Sequence, residues 1–227
     1  MENSSANFPL PVIAILGGTG KEGPGLALRG ARAGYRVIIG SRQLEKAQAA
    51  AREINLALGG GDVSGLENAQ AARQAEVCVL TVVQTAHQAA LESLKNDLKG
   101  KILVDATARV DFRDPQPPQA PSAARLAQHI LGDDVRVVAA FQNVPSHVLK
   151  KNLGGSLDTD VLVCADDPKA AEEVITLAEA IGMRGYYAGG LDNAVVVEGL
   201  TALLISINKH YNVKTASIGV TGLEFLD

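Results

Sequence analysis

Tryptophan is absent from this chain, and Phe and Tyr bring the aromatic content to only 4%. Proteins that stack single-stranded bases need more aromatic surface, so nucleic-acid binding of that kind is a poor fit. No basic excess exists either: 25 acidic residues outweigh 21 basic ones, for a net charge of −4. That leaves nothing to favour nucleic acid or an anionic membrane as a partner. Only two cysteines occur, Cys78 and Cys164, each inside an apolar run. They read as small buried residues, without disulfide framework or zinc spacing. The start, Met1-Glu2-Asn3-Ser4-Ser5, lacks the basic and apolar segments of a secretion signal. Asn3-Ser4-Ser5 matches a glycosylation sequon and is read as chance. The longest apolar stretch, Ala194–Ile207, contains Glu198, which argues against a membrane span. A cytoplasmic protein is expected.

What is present is a 227-residue chain that is 47% apolar. It can bury a core as one large domain, or as a domain with a smaller appendage. Short apolar runs at Val12–Leu16, Arg36–Gly40, Val77–Val83, Lys101–Ala106 and Val135–Phe141 read as strands. Between them, Pro24–Ala33, Gln43–Leu58, Thr85–Leu98 and Ala123–Leu131 have helical composition. Near-continuous Val, Ile and Leu imply strands covered on both faces, as parallel sheets require. The expected fold is α/β: a Rossmann-type, doubly wound, mostly parallel sheet with a small C-terminal α/β extension. The extension comprises a strand at Asp160–Ala165, a helix at Pro168–Ile181, an edge strand at Arg184–Tyr187 and a long apolar helix at Asn193–Tyr211. Residues 1–150 would form the dinucleotide-binding domain. Residues 151–227 would complete the substrate cleft and, through the apolar helix, pair two copies as a homodimer. Arg113–Pro121 holds four prolines and reads as an exposed loop, suited to the rim of a cleft.

The clearest motif is Gly18-Thr19-Gly20-Lys21-Glu22-Gly23. It follows a strand and opens a helix, the context that makes a G-x-G-x-x-G sequence specific. Gly18 is expected to make the turn. Gly20 would let a pyrophosphate approach the backbone, and Gly23 would let the helix pack on the strand. The helix N-terminus then offers unpaired N–H donors and partial positive charge to the phosphates. NAD sites usually close the second strand with a carboxylate for the ribose 2′-hydroxyl. Here that strand ends in Gly40-Ser41-Arg42, with Lys46 one helical turn further on. A hydroxyl, a planar guanidinium and an ammonium suit a 2′-phosphate instead, so the cofactor is read as NADP(H).

Other constellations are weaker. Tyr211 and Lys214 miss the Tyr-x-x-x-Lys spacing of short-chain dehydrogenases by one residue. His87, His129, His147 and His210 form no metal-ligand spacing, although His147 follows a polar segment after a strand. Asp111, Asp114, Asp133 and Asp134 read as caps and loop residues. With no acid–base pair in view, a hydride exchange between two bound cofactors needs the least from the protein: proximity and orientation.

Ile13–Gly20, Gly25–Arg29, Val37–Arg42 with Glu45-Lys46-Ala47, Val79–Val83, Lys101–Val104, Asp160–Asp167 and Leu200–Ile205 resemble the NADPH-dependent F420 reductases (F420H2:NADP oxidoreductases). The resemblance spans most of the chain. It implies NADP(H) along Gly18, Thr19, Gly20, Lys21, Glu22 and Gly23. It also implies a 2′-phosphate held by Thr19, Ser41, Arg42 and Lys46, and a nicotinamide bordered by Val82, Val83 and Gln84. The deazaflavin F420 would be the co-substrate, bordered by Phe141, Gln142, Asn143, Val144 and Pro145. Two other readings stay open at this level: reduction of a flavin, imine or other small acceptor on the same fold, or a non-catalytic NADP(H) sensor.

Overall fold

The computed structural model describes residues 9–223, so the Asn3-Ser4-Ser5 sequon lies outside the described residues. The chain alternates strand and helix: β1 (Ile13–Leu16), α1 (Gly23–Arg32), β2 (Val37–Ser41), α2 (Leu44–Ala57), β3 (Val63–Glu67), α3 (Asn68–Gln74), β4 (Val77–Leu80), α4 (Gln84–Leu94), β5 (Ile102–Asp105), α5 (Ala123–Leu131), β6 (Arg136–Ala139), β7 (Asp160–Ala165), α6 (Pro168–Ala180), β8 (Arg184–Tyr187) and α7 (Ala194–His210). One eight-stranded sheet runs in the order β3-β2-β1-β4-β5-β6-β7-β8. All pairings are parallel except β6 against β7. The order reverses between β1 and β4, which opens a crevice at the carboxyl ends of those strands.

Two apolar layers cover the sheet. One joins Ile13, Ile15, Val37, Val79 and Val104 to helices α1, α2 and α6. The other joins Ala14, Leu16, Cys78, Leu80 and Leu103 to α3, α4, α5 and the start of α7. Successive strand residues thus feed opposite layers, as the pleat dictates. Both layers draw on residues before and after 150, so the C-terminal part extends the same sheet and core. Arg29 of α1 ties that helix to the chain around residue 150 and to the end of α6. Its guanidinium donates to the carbonyls of Leu149 (2.8 Å), Ile181 (2.9 Å) and Gly155 (3.3 Å), and to those of Lys151 and Asn152.

The structure adds two elements with no counterpart in the sequence reading, β3 and α3. Val63-Ser64-Gly65-Leu66-Glu67 has no apolar run because β3 is an edge strand, and only Val63 of it is buried. Gly65 is the informative residue, since a Cβ there would collide with the α2 backbone at Ala47 and Gln48. Expected strands Val77–Val83 and Val135–Phe141 end earlier, at Leu80 and Ala139. At these carboxyl ends the chain leaves the sheet to form the crevice walls. The Pro-rich segment is a loop, as expected, and lies along α7: Lys209 Nζ donates to the Arg113 carbonyl at 2.9 Å.

Candidate active site

The phosphate loop connects β1 to α1 across the β1/β4 crevice. Its left-handed residue is Gly17 (φ +69°), so the turn falls one position before Gly18. A Cβ on Gly17 would stand 2.7 Å from Val82 Cγ1. Gly18 instead has its N–H on the Gly40 carbonyl (2.9 Å), which ties the loop to β2. Gly23 packs backbone to backbone, since a Cβ there would lie 2.5 Å from Gly18 Cα. Gly20 differs: its added Cβ would meet only the carbonyls of Gly17 and Thr81, at 3.5 and 3.7 Å. The space at Gly20 is therefore left open, and a dinucleotide fits it. No side chain caps α1. Its first N–H groups remain for an anion.

Ser41 closes β2 and is buried; its Oγ lies 3.5 Å from Thr19 Oγ1 and accepts from the Gln43 N–H at 3.1 Å. Arg42 and Lys46 are exposed beside it. Neither forms an ion pair among the described residues. A buried hydroxyl with two uncommitted cations suits a phosphate dianion. β2 itself ends without a carboxylate, while Glu67, exposed at the end of β3, pairs in register with Ser41. Lys21 is exposed, and Glu22 is partly exposed with an enclosed Oε1 that has no partner. Burial pushes the Glu22 carboxyl up to about 8.

Away from the β2 end, the crevice continues over the carboxyl ends of β4 and β5. Val82, Val83 and Gln84 line that side. Val83 is 69% exposed, an unusual state for an apolar residue at a crevice. A dense polar cluster adjoins it. Gln142 Nε2 donates to the Asp105 carbonyl at 2.8 Å, and Asn143 Nδ2 donates to the Val197 carbonyl and to Thr201 Oγ1, both at 2.9 Å. The Thr107, Gln142 and Asn143 side chains each keep one enclosed oxygen with no partner. Buried polar atoms are seldom left so, and these mark a place where a ligand can supply the missing bonds. Phe141 holds a left-handed backbone (φ +73°), a strained state for a bulky residue. Its ring is buried and faces a small apolar void with Ile13, Ile15 and Val79. Val144 is buried, and Pro145 is partly exposed at the loop surface.

A model of the family "NADP oxidoreductase coenzyme F420-dependent" matches residues 12–109. The chain is 42% identical over 222 residues to an F420-dependent NADP reductase of Methanothermobacter marburgensis, covering 93% of this chain and 98% of that one. A protein of the same name from Methanocaldococcus jannaschii is 41% identical over 224 residues, covering 93% and 99%. The chain belongs to this family. Among solved structures, a candidate F420-dependent NADP-reductase from Arthrobacter sp. FB24 superposes with a TM-score of 0.77 at 26% identity. It covers 93% of this chain and 100% of its own.

Several residues of this family member's site escaped the sequence reading. Asn68, at the start of α3, accepts the Gly17 N–H at 3.1 Å and so braces the phosphate loop from 51 residues away. Glu198 of α7 is fully buried. It accepts from the Ala123 N–H at 2.5 Å and from Arg109 Nε at 3.3 Å. Burial pushes its carboxyl up, against the pull of the Ala123 amide and the Arg109 guanidinium. Asp105 and His87 are both buried, with Nε2 and Oδ2 2.6 Å apart. The sequence reading found no acid–base pair because these partners come from different elements, 18 residues apart. Their only signal is Asp105 itself, a carboxylate ending an otherwise apolar strand.

Proposed function

We propose that this chain is an NADP(H)-dependent oxidoreductase that exchanges hydride with coenzyme F420. The observation that carries the NADP half is the strand end at Ser41, with Arg42 and Lys46 exposed and uncommitted beside an open, glycine-lined loop. The F420 half draws on the full-length relatives named for that reaction. When bound, the nicotinamide supplies hydride chemistry and the deazaflavin supplies the acceptor. The protein's own residues bind and orient. The α1 N-terminus and Gly20 seat the pyrophosphate, while Thr19, Ser41, Arg42 and Lys46 hold the 2′-phosphate. Val82, Val83 and Gln84 flank the nicotinamide. The unpartnered oxygens of Gln142 and Asn143 meet donors on the second ring system, within a loop set by Phe141, Val144 and Pro145. Holding two ring systems face to face at hydride distance is itself a large share of catalysis. Mixing the protein with NADPH and F420 should bleach the deazaflavin absorbance. Absence of turnover with F420, alongside reduction of FMN or an imine, would replace this acceptor.

We also propose a soluble, cytoplasmic homodimer joined along α7. Val196, Leu203 and Ile207 form an exposed stripe on this helix. The segment Leu191–His210 is long and apolar enough to cross a membrane by length and composition. Its opposite face, however, holds Leu191, Ala194, Val197 and the hydrogen-bonded Glu198 in the core. A second copy covering the stripe supports the dimer reading, since each buried Leu or Ile contributes roughly 1.5–3 kcal/mol. Sedimentation equilibrium tests it, and a monomer at micromolar concentration would reject it.

A further inference from the structure

The His87–Asp105 pair has no part in cofactor binding as described above. It is nevertheless buried at the active edge of the sheet. Asp105 is the last residue of β5, paired in register with Leu80 at the end of β4. His87 stands in the first turn of α4, three residues after Gln84. Asp105 is fixed on every side. Its Oδ1 accepts the Thr107 N–H at 3.0 Å, its Oδ2 meets His87 Nε2 at 2.6 Å, and its carbonyl accepts from Gln142. With Nε2 committed to the carboxylate, Nδ1 is where a proton can enter or leave the ring. Nδ1 makes no hydrogen bond to a described residue and is not among the enclosed polar atoms without a partner.

The charges around the pair are accounted for. Glu198 of α7 lies near enough to Asp105 for the two carboxyls to repel, and it pairs with Arg109. On the helices packed against α4, Arg73 pairs with Asp97, Arg125 pairs with Asp166 and Asp192, and His129 is exposed. On α4 itself, Glu92 is exposed and bonded to Gln88. Among the described residues, Arg73, Arg109 and Arg125 thus each have an acidic partner of their own.

We propose that His87, held by Asp105, is the proton store of the site, releasing a proton when NADPH is oxidised and regaining one when NADP+ is reduced. This rests on the NADP(H) and F420 reading above. In the forward direction a C–H bond of NADPH breaks and its electron pair leaves with the hydrogen for a ring carbon of the deazaflavin, whose ring nitrogen takes a proton. NADPH, the oxidised deazaflavin and H+ become NADP+ and the reduced deazaflavin. His87 in its imidazolium form supplies that proton through Nδ1 and is reprotonated from solvent. The sign is self-consistent: a cationic nicotinamide repels the imidazolium, so hydride loss promotes proton release. His87 acts here on the ring nitrogen, while Asp105 is the positioning residue that holds it.

The test is a proton NMR titration of the His87 imidazole in complexes with NADP+ and with NADPH, assigned by the signal lost in His87→Gln. The expected midpoint is lower with NADP+ by about half a pH unit or more. Asp105→Asn should lower the midpoint further in both complexes, and it provides the assignment if His87→Gln fails to fold. Equal midpoints in the two complexes, or a His87 signal that does not titrate between about pH 5 and 9, would overturn the proposal. A second readout is the pH profile of kcat with F420. His87→Gln should retain NADPH affinity, lower kcat by roughly 100-fold and lose the basic limb seen in the wild type. A loss uniform across pH means a structural role. Failure of the wild type to turn over F420 rejects the acceptor alone, because the titration uses only NADP+ and NADPH.

Discussion

The phosphate loop and the polar cluster at the carboxyl ends of β5 and β6 solve opposite problems at the same end of one sheet. The loop works by leaving things out. Gly18 and Gly23 lack side chains so that backbone can meet backbone, Gly17 makes a left-handed turn against the Val82 side chain, Gly20 leaves a space, and Arg42 and Lys46 stand exposed without partners. The cluster works by filling. Asp105, Gln142, Asn143 and Glu198 are buried, and each makes hydrogen bonds to residues 37 to 89 positions away in sequence. A site that awaits a highly charged ligand stays open and cationic. A site that must hold orientation in a dry environment is largely prebuilt, and the enclosed oxygens of Thr107, Gln142 and Asn143 are what it leaves for a ligand to satisfy.

That contrast can be broken from either side, and the largest effect should come from the filled side. Glu198→Ala removes a buried carboxyl and leaves the Ala123 amide and the Arg109 guanidinium without their partner. Chemical denaturation should show a loss of about 3–5 kcal/mol. A loss under 1 kcal/mol would mean the cluster is not a structural unit. On the open side, Arg42→Ala should leave the fold intact and weaken NADP(H) binding by about 1.5–3 kcal/mol, with NAD(H) affinity unchanged. Equal losses for both cofactors, measured by calorimetry, would remove Arg42 from the 2′-phosphate site.

A pH effect sharpens the same comparison. Glu22 is neutral below about 8 and ionised above it, so its negative charge reaches the phosphate loop only at high pH. Affinity for NADPH should therefore fall as pH rises through about 8, and Glu22→Gln should flatten that limb. Stability follows the same sign. A carboxyl whose folded value is raised costs stability above its unfolded value, increasingly until pH reaches the folded one. Glu22→Gln should thus melt higher than the wild type at pH 8 and similarly at pH 4. The smallest change is expected from Ser41→Ala, which loses one hydroxyl near Thr19 and the Gln43 N–H. A decrease of about 0.5–1.5 kcal/mol in NADP(H) affinity is the expected result. An unchanged Kd would assign Ser41 to capping α2.

The two regions also differ in how far the sequence revealed them. The loop, the strand end at Ser41 and the helices α5, α6 and α7 follow from contiguous patterns, and α5 matches its expected bounds at Ala123–Leu131. Local patterns work there because one glycine, one cap or one apolar stripe carries its meaning alone. The edge strand β3 lacks such a pattern, since its Gly65 answers to α2 rather than to its neighbours in sequence. The turn at Gly17 rather than Gly18 is a smaller case of the same kind, set by contact with Val82 and by the bond from Gly18 to Gly40.

By itself the sequence determined the layered α/β fold, the dinucleotide motif and the preference for a 2′-phosphate. Each is written in residues that are neighbours along the chain. Only the tertiary structure decided that Asn68 braces the loop, that Glu198 serves Ala123 and Arg109, and that His87 meets Asp105. The physical reason is that burial and hydrogen bonding depend on which strand ends lie side by side. The parallel crossovers bring the carboxyl ends of β4, β5 and β6 together at one edge, where residues distant in sequence become a single site.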